Sequence, residues 1–493
     1  MSAAVTRVVI AGGGTAGWIA ACGLARQLGR LVDVTLVESD AIPTIGVGEA
    51  TIPTARSFHD YLRIDERAFM AATGATFKLG IRFEDWGRIG DAYMHSFGTF
   101  ELRNWVADFQ HFWLEAREQG LEAPIGAFCL EHEAALAGKF AQGGQPPLSY
   151  AYHLDAGRYA AFLRRIAERD GARRVEGRIA SVEQNGDSGD IAALVLENGE
   201  RIEGDLFIDC TGFRALLIGQ TLGVGYEDWS QWLPTDGAWA VQTENTGDPV
   251  PYTVARAHEA GWQWRIPLQH RTGNGLVFAS DHMTQDDARE ALVSHLRGPM
   301  VSDPRLIRFT TGRRQSMWAR NCVALGLSSG FVEPLESTSI HLIMIGVTRL
   351  IQLFPFGGVT PALRDRWNTL CDQELEHVRD FIILHYHLTN RDDTAFWRSR
   401  AAMDVPDSLK ARLQSFAEHG QAWQESLDLF RSESWLYVML GQGMMPRNWH
   451  RLASLMDGPK LLHLLAERRS AIAHNVAAMP THAQFLRQYA PEE

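Results

Sequence analysis

The chain has 493 residues, a formal net charge of −12, 45% apolar residues and 22% charged residues. That length suits one large two-part domain or two to three smaller ones, and the composition is that of a soluble globular protein. The acidic balance argues against a nucleic-acid partner, which needs a basic face.

Only four of the 47 basic residues are lysines (Lys78, Lys139, Lys410 and Lys460), so a lysine here is not the default solvated cation. Five cysteines (Cys22, Cys129, Cys210, Cys322, Cys371) lie far apart without a CxxC pair. Scattered thiols point to a reducing, cytoplasmic setting, not to a disulfide framework or a metal site. No basic region followed by an apolar stretch opens the chain, so no secretory leader is expected. The most apolar later stretch, residues 340–356, is interrupted by His341, Thr348, Arg349 and Gln352 and is too short and polar to span a bilayer.

Residues 6–11 (TRVVIA) form a β-branched run without polar alternation, as a buried parallel strand should. A glycine-rich turn, an amphipathic helix over about 16–28 and a second strand over 33–38 complete a βαβ unit. Residues 46–53 (GVGEATIP) read as a turn-rich loop, and helices are predicted over 54–72 and 104–119. Residues 120–150 mix Gly, Pro and Gln as a surface insertion would, and 153–170 reads as a helix. Alternation over 173–208, with the hairpin signal Asn198-Gly199, predicts a small antiparallel sheet. Further strands are predicted over 238–280, and from about 334 the pattern is helical. The reading is a discontinuous body (1–110 and 151–350), an insertion (111–150) and a mainly helical region (351–493).

Gly12, Gly14 and Gly17 give GxGxxG between the first strand and the first helix. Such glycines permit a tight turn, close backbone approach to a pyrophosphate and helix–strand packing, while the helix start offers N–H groups to phosphate. Glu38, 21 residues beyond Gly17, ends the second strand where an acid can bind a ribose 2′-OH. These residues alone do not separate FAD from NAD. Two later segments favour FAD: residues 202–213 end an apolar strand in a Thr-Gly turn, and residues 321–331 put a strand before a small-residue turn. Flavoproteins with two dinucleotide folds use similar returning strands on the flavin side. The fold class expected is therefore α/β, an FAD-binding Rossmann-like two-dinucleotide fold with an antiparallel sheet and an added, mostly α-helical C-terminal region.

Residues 261–267 read GWQWRIP, which as a strand puts Trp262, Trp264 and Ile266 on one face. Periodicity by itself favours an aromatic core stripe. WxWxIP, however, together with the glycine loop, GVGEATIP and EPLEST (333–338) in the same order, resembles the flavin-dependent tryptophan halogenases over essentially the whole chain. The resemblance implies FAD, received as FADH2 from a separate NAD(P)H flavin reductase, with O2 and chloride or bromide as co-substrates. Halide becomes hypohalous acid, which chlorinates or brominates an indole-like aromatic. It places cofactor contacts at Gly12, Gly14, Thr15, Ala16, Gly17, Glu38, Gly48, Glu49, Ala50, Gly212, Leu325 and Gly326, and makes Trp262 and Trp264 a shield that keeps organic substrate from the flavin. A homodimer is also implied.

Lys78, in TFKLGIRFEDW, alternates with Phe77 and Leu79 and could be a solvated strand residue. The resemblance makes it the active-site lysine. An ammonium can hydrogen-bond hypohalous acid, and a neutral amine can become a haloamine, whereas arginine stays protonated with its charge spread out. Glu336 matches the glutamate that stabilises the cationic arene intermediate and takes its proton, although Glu336 or Glu333 could equally cap the next helix. Thr338 and Ser339 match the halide-holding stretch, and the tryptophan-specific members usually carry glycine at Ser339. His95 and Phe97 in HSFG match the rings that sandwich the indole, with Phe430 or Trp435 as the partner ring.

The C-terminal region matching the grip on tryptophan's amino and carboxylate groups, about 415–434, has no tyrosine, so indole or another electron-rich arene is a candidate substrate. His385 and His387, two apart on a predicted helix, point to different sides and are poor joint metal ligands. Asp392-Asp393 reads as a loop or helix cap, and Ser328-Ser329-Gly330 lacks the surrounding GxSxG of a nucleophile elbow. Two other readings compete: a flavin-dependent aromatic monooxygenase, which WxWxIP opposes, and a non-catalytic flavin-binding protein, which would leave Lys78 and Glu336 facing solvent.

Overall fold

The computed structural model describes residues 4–42, 48–100 and 107–490. A six-stranded sheet forms the nucleotide-binding half, in the order Trp318–Ala319, Cys322–Ala324, Leu206–Asp209, Arg7–Ala11, Asp33–Glu38, Arg173–Glu176. All its pairings are parallel except that of Trp318–Ala319 with Cys322–Ala324. Of the two returning segments read from the sequence, Leu206–Asp209 thus neighbours the first strand, and Cys322–Ala324 lies next to Leu206–Asp209. Its residues Val8, Val9, Ile10 and Ala11 are buried, because helices and loops cover both faces of a parallel sheet.

The helix Thr15–Leu28 packs between Ala156–Arg169 and Ser339–Gln352. It is buried on almost every side, not amphipathic as its sequence suggests, because two helices cover it. A three-stranded antiparallel sheet (Ile179–Gln184, Ile191–Leu196, Arg201–Glu203) carries the predicted hairpin, with Gly199 at φ +83. The flanking strands of the same stretch, Arg173–Glu176 and Leu206–Asp209, instead join the parallel sheet.

A seven-stranded mixed sheet runs Arg305–Arg308, Gly237–Thr243, Thr272–Phe278, Gly261–Pro267, Tyr252–His258, Gly80–Glu84, Ala92–Ser96. A small sheet joins Gly48–Ala50, Ala151–Asp155 and Thr76–Lys78. The chain changes sheets at Leu79, so Lys78 ends one strand where Gly80 begins another.

Four local expectations are corrected. Residues 48–50 of GVGEATIP form a strand, because they pair with 153–155; residues 46 and 47 lie outside the described residues. The helix expected over 54–72 is two helices, Thr54–Tyr61 and Glu66–Thr73: the chain turns at Arg63 (φ +50), and Asp65 caps the second by accepting from Ala68 N at 2.8 Å. The helix expected over 153–170 begins at Ala156. His153–Asp155 is strand, and Asp155 caps the helix by accepting from Arg158 N at 2.9 Å. The helix expected over 104–119 spans Phe109–Glu118, and 104–106 lie outside the described residues.

The stretch 120–150 is not a surface appendage. Ile125, Phe128, Cys129, Leu130 and Phe140 are buried, with Phe140 stacked on Phe77 at 4.0 Å between ring centres. Most of its Gly and Pro residues lie in the turns before and after two short helices, Ile125–Phe128 and Leu130–Leu136. From Ser339 onward the described chain is helical, as expected. Pro361–His387, 27 residues and about 40 Å long at 1.5 Å per residue, buries its C-terminal half in the core.

Candidate active site

The site has a backbone-built half and a side-chain half. The first is a cavity of about 770 Å³ lined by Gly12, Gly14, Thr15, Ala16, Glu38, Glu49, Ala50, Gly212, Leu325 and Gly326, and also by Trp262, Trp264, Ile266, Ser337 and Ser339. Its volume is that of a cofactor site. Gly12 has φ +106, and a Cβ there would lie 2.3 Å from Cys210 O. Gly17 is not among the lining residues. A Cβ there would lie 1.9 Å from Gly12 O, so Gly17 lets the helix pack on the loop. Gly48 opens the strand that carries Glu49 and Ala50 to the wall.

The residues present fit FAD. The helix Thr15–Leu28 starts at Gly14 with no side-chain cap, leaving first-turn N–H groups for phosphate. Glu38, on the cavity wall, has Oε1 held at 2.6 Å by Arg174 Nε. At the far end, the alternation read from the sequence puts Trp262, Trp264 and Ile266 on the cavity side. Trp264 pairs with Gly275 across the sheet, and a Cβ on Gly275 would lie 2.0 Å from the indole, so that glycine makes room for the ring. Trp264 Nε1 is buried with no acceptor among the described residues. Trp262 Nε1 donates to Glu333 Oε1 at 3.1 Å.

The side-chain half lies behind that wall. Lys78 is fully buried. Its Nζ donates to Thr51 O (3.0 Å), from GVGEATIP, and to Ser337 Oγ (2.9 Å), from EPLEST. Ser337 itself lines the cavity, so Lys78 stands one residue behind the cofactor space. Burial pushes the lysine from its ordinary 10.5 down to about 7, against the charge of Glu336, which acts to raise it. Phe97 lies 5.1 Å from Nζ at its ring centre.

Glu336 is fully buried in the turn Pro334–Glu336. His95 Nδ1 lies 2.9 and 3.0 Å from its two carboxylate oxygens, and His385 Nε2 lies 2.9 Å from Oε1. Burial would raise this carboxyl, but the two imidazoles outweigh it and hold it at about 2. Glu333 is placed differently. Tyr386 OH (2.7 Å) and Trp262 Nε1 donate to its Oε1, and Thr235 Oγ1 (2.6 Å) to Oε2. Burial raises its carboxyl. Glu333 therefore ties Trp262 to the long helix, and neither glutamate is a side-chain cap of the helix that follows.

That helix, Ser339–Gln352, starts from Thr338, whose hydroxyl is buried without a hydrogen-bond partner among the described residues. Ser337, just before it, is left-handed at φ +59. For a non-glycine residue this costs about 1 kcal/mol or more, and it turns Oγ to Lys78. His95 and Phe97 lie at 6.3 Å between ring centres, and His95 and Phe430 also at 6.3 Å. Phe430 stacks on Phe381 at 3.8 Å, while Trp435 meets Phe381 edge-on at 5.0 Å.

Sequence reasoning missed Phe381 and the part of His385 that matters here. The two histidines of the HYH stretch do diverge, but His385 turns inward to Glu336. The signal available was DFIILHYH, where Phe381 and His385 share a helix face four residues apart. Among the described residues no three or more His, Cys, Asp or Glu are grouped to hold a metal ion, and no helix is long and apolar enough to cross a membrane.

The family model described as Tryptophan halogenase matches residues 7–458. Tryptophan 6-halogenase SttH of Streptomyces toxytricini is 38% identical over 447 residues, covering 83% of each chain. The flavin-dependent halogenase Xcc4156 from Xanthomonas campestris superposes with a TM-score of 0.98 at 54% identity, over 99% of both chains. BrvH, a flavin-dependent halogenase from Brevundimonas sp. BAL3, superposes with a TM-score of 0.95 at 45% identity, again over 99% of both. The chain belongs to the tryptophan halogenase family and is a flavin-dependent halogenase.

Proposed function

We propose that this halogenase chlorinates or brominates an indole-like arene, with Lys78 as the group that delivers the halogen and Glu336 as the group that faces the cationic ring. The observation that carries the reading is Lys78, fully buried and clamped between Thr51 and Ser337 one residue behind the cofactor cavity. FADH2, supplied by a separate NAD(P)H-dependent reductase, would furnish with O2 the oxidising equivalent that turns halide into hypohalous acid.

In this reading the loop Gly12–Ala16 and Glu38 hold the nucleotide half, while Glu49, Ala50, Gly212, Leu325 and Gly326 hold the flavin half. Trp262 and Trp264 wall the flavin from the arene, and Glu333 keeps Trp262 in place. Halide sits at the start of the helix Ser339–Gln352. The open first-turn N–H groups and the unpartnered Thr338 hydroxyl support an anion there. At pH 7 a lysine held near 7 presents both ammonium and neutral amine, so it can hydrogen-bond hypohalous acid or accept the halogen on nitrogen. His95, Phe97 and Phe430 contact the arene, within a chain that works in the cytoplasm. The absence of tyrosine over 415–434 supports indole over free tryptophan.

The test is a turnover with FAD, a flavin reductase, NADH, oxygen and bromide, with indole and tryptophan in separate reactions. A bromine isotope doublet by mass spectrometry, larger with indole, is expected. A product that gains only oxygen would replace this reading with the aromatic monooxygenase.

A further inference from the structure

We propose that His482 is a positioning residue for Lys78, its imidazole bridging the strand that carries the lysine to the neighbouring segment at Pro249. The inference rests on the reading of Lys78 above and adds to it the residue that fixes the lysine's backbone.

Thr76–Lys78 is the outer strand of its small sheet and pairs with Ala151–Asp155 along one edge only. Successive N–H groups of a strand point to opposite edges, so Phe77 and Leu79 both turn theirs to the other side. Leu79 N donates to Pro251 O at 2.7 Å. The parallel ladder that follows sets Gly80 opposite Tyr252. Carried back residue by residue, that register sets Leu79 opposite Pro251 and Phe77 opposite Pro249, so the next rung would run from Phe77 N to Pro249 O. The buried His482 ring fills that rung: Phe77 N donates to Nε2 at 3.1 Å, and Nδ1 lies 2.8 Å from Pro249 O.

Both contacts require the same form of the ring. A backbone N–H only donates, so Nε2 is bare, and a carbonyl only accepts, so Nδ1 carries the hydrogen. One neutral tautomer therefore serves both backbone groups. Burial holds His482 down at about 4, against the Pro249 carbonyl and the charge of Asp248, which act to raise it. The ring thus stays neutral where the lysine changes state, near 7. His153, a second ring kept neutral by burial, faces both residues, and Glu336 faces the lysine.

His482 opens the helix His482–Tyr489, which is fixed to the body by other contacts. Thr481 and Gln484 form a capping box at its start, His482 N donates to Gly138 O at 2.9 Å, and Tyr489 OH donates to Glu66 Oε2 at 2.5 Å. Phe485 and Tyr489 pack on the Phe77 ring at 5.6 and 5.7 Å between ring centres. The lysine is thereby held at two ends: Nζ by Thr51 O and Ser337 Oγ, and the preceding residue's N–H by His482. Without the imidazole, Phe77 N would be buried with no partner. The outer edge of the strand would then part from the body, and the amine would lose its fixed place and its dryness.

The experiment compares His482→Leu, which keeps the bulk and removes both polar atoms, with His482→Gln, whose amide can accept from Phe77 N and donate to Pro249 O. Each full-length protein is loaded with FAD and labelled with 13C at the lysine ε carbon. Four lysines give four signals, and Lys78→Met marks the one that belongs to Lys78. In the wild type that signal should titrate near 7. In His482→Leu we expect it to move up toward the ordinary 10.5. Bromination of the arene by the same variant should fall about tenfold to a hundredfold in kcat, with KM and FAD affinity close to wild type. His482→Gln should bring both the titration and kcat back toward the wild type. A Lys78 titration unmoved in His482→Leu, an unchanged kcat, or a His482→Gln that falls as far as His482→Leu overturns the proposal. If His482→Leu does not fold, ring 15N spectra of the wild type decide. Nδ1 protonated and Nε2 bare, coupled across the hydrogen bond to the Phe77 amide nitrogen, is expected, and a ring protonated at Nε2 overturns the proposal. The lysine titration needs no substrate, so its failure sinks this inference alone; a Lys78→Ala that brominates the arene at the wild-type rate sinks the reading of Lys78 and this inference with it.

Discussion

The two ends of the site are built on different principles. The nucleotide end is made of backbone: a glycine loop, an uncapped helix start and two returning strand ends, all from one parallel sheet. The end proposed for halogenation is made of side chains from segments far apart in sequence, with Lys78, Glu336, His95 and His385 buried together. Backbone sites are specified by what must be absent, since no Cβ fits at Gly12 or Gly17. Side-chain sites are specified by what must be buried at a cost, since Lys78 and Glu336 would both be better solvated outside. The first should tolerate no added atoms, and the second should tolerate changes that abolish chemistry yet leave the fold standing.

Gly12→Val probes that difference most severely. The new Cβ would stand 2.3 Å from Cys210 O at φ +106, so we expect lost FAD binding and poor soluble yield, read by flavin fluorescence titration. Glu336→Gln should instead fold, bind FAD and lose about a hundredfold in kcat, because a neutral amide neither stabilises the ring cation nor takes its proton. Equal loss of flavin binding in both variants would erase the distinction.

Gly275→Ala tests the border between the two ends. Its methyl would meet the Trp264 ring at 2.0 Å, so the indole must shift, at about 1–3 kcal/mol of stability by denaturant melting. The last effect is in pH. Lys78 is held near 7 against an ordinary 10.5, so between these values the unfolded chain binds the extra proton. Stability attributable to Lys78 therefore rises with pH across that window, and the penalty is fully present below about 7. Lys78→Met should remove this rise, as followed by Tm from pH 6.5 to 10. In the wild type, kcat/KM should rise through about pH 7 if the neutral amine takes the halogen.

The nucleotide end was legible because its signals are local. GxGxxG, the flanking β-branched strands and Glu38 lie within residues 6–38 and need only the rules of turns and helix starts. The strand GWQWRIP showed by alternation which rings face the cavity. Elements set by distant partners were not legible: 48–50 becomes a strand only because residues 153–155 come alongside, and 120–150 looks like surface until Phe140 meets Phe77. At the end proposed for halogenation, Lys78 and Glu336 were singled out by resemblance, and composition added only that lysine is scarce. His385 was dismissed because spacing tests metal ligation by neighbours and says nothing of a carboxylate 49 residues upstream.

The most direct measurement pairs two readouts on Lys78→Ala: FAD affinity by fluorescence titration, and brominated product by mass spectrometry under conditions where the wild type turns over. The account predicts FAD affinity close to wild type and at least about a thousandfold less product, the loss expected when a nucleophilic or acid–base group is removed. Product formed at the wild-type rate by Lys78→Ala would contradict it, and would mean that halogen reaches the arene without the buried amine.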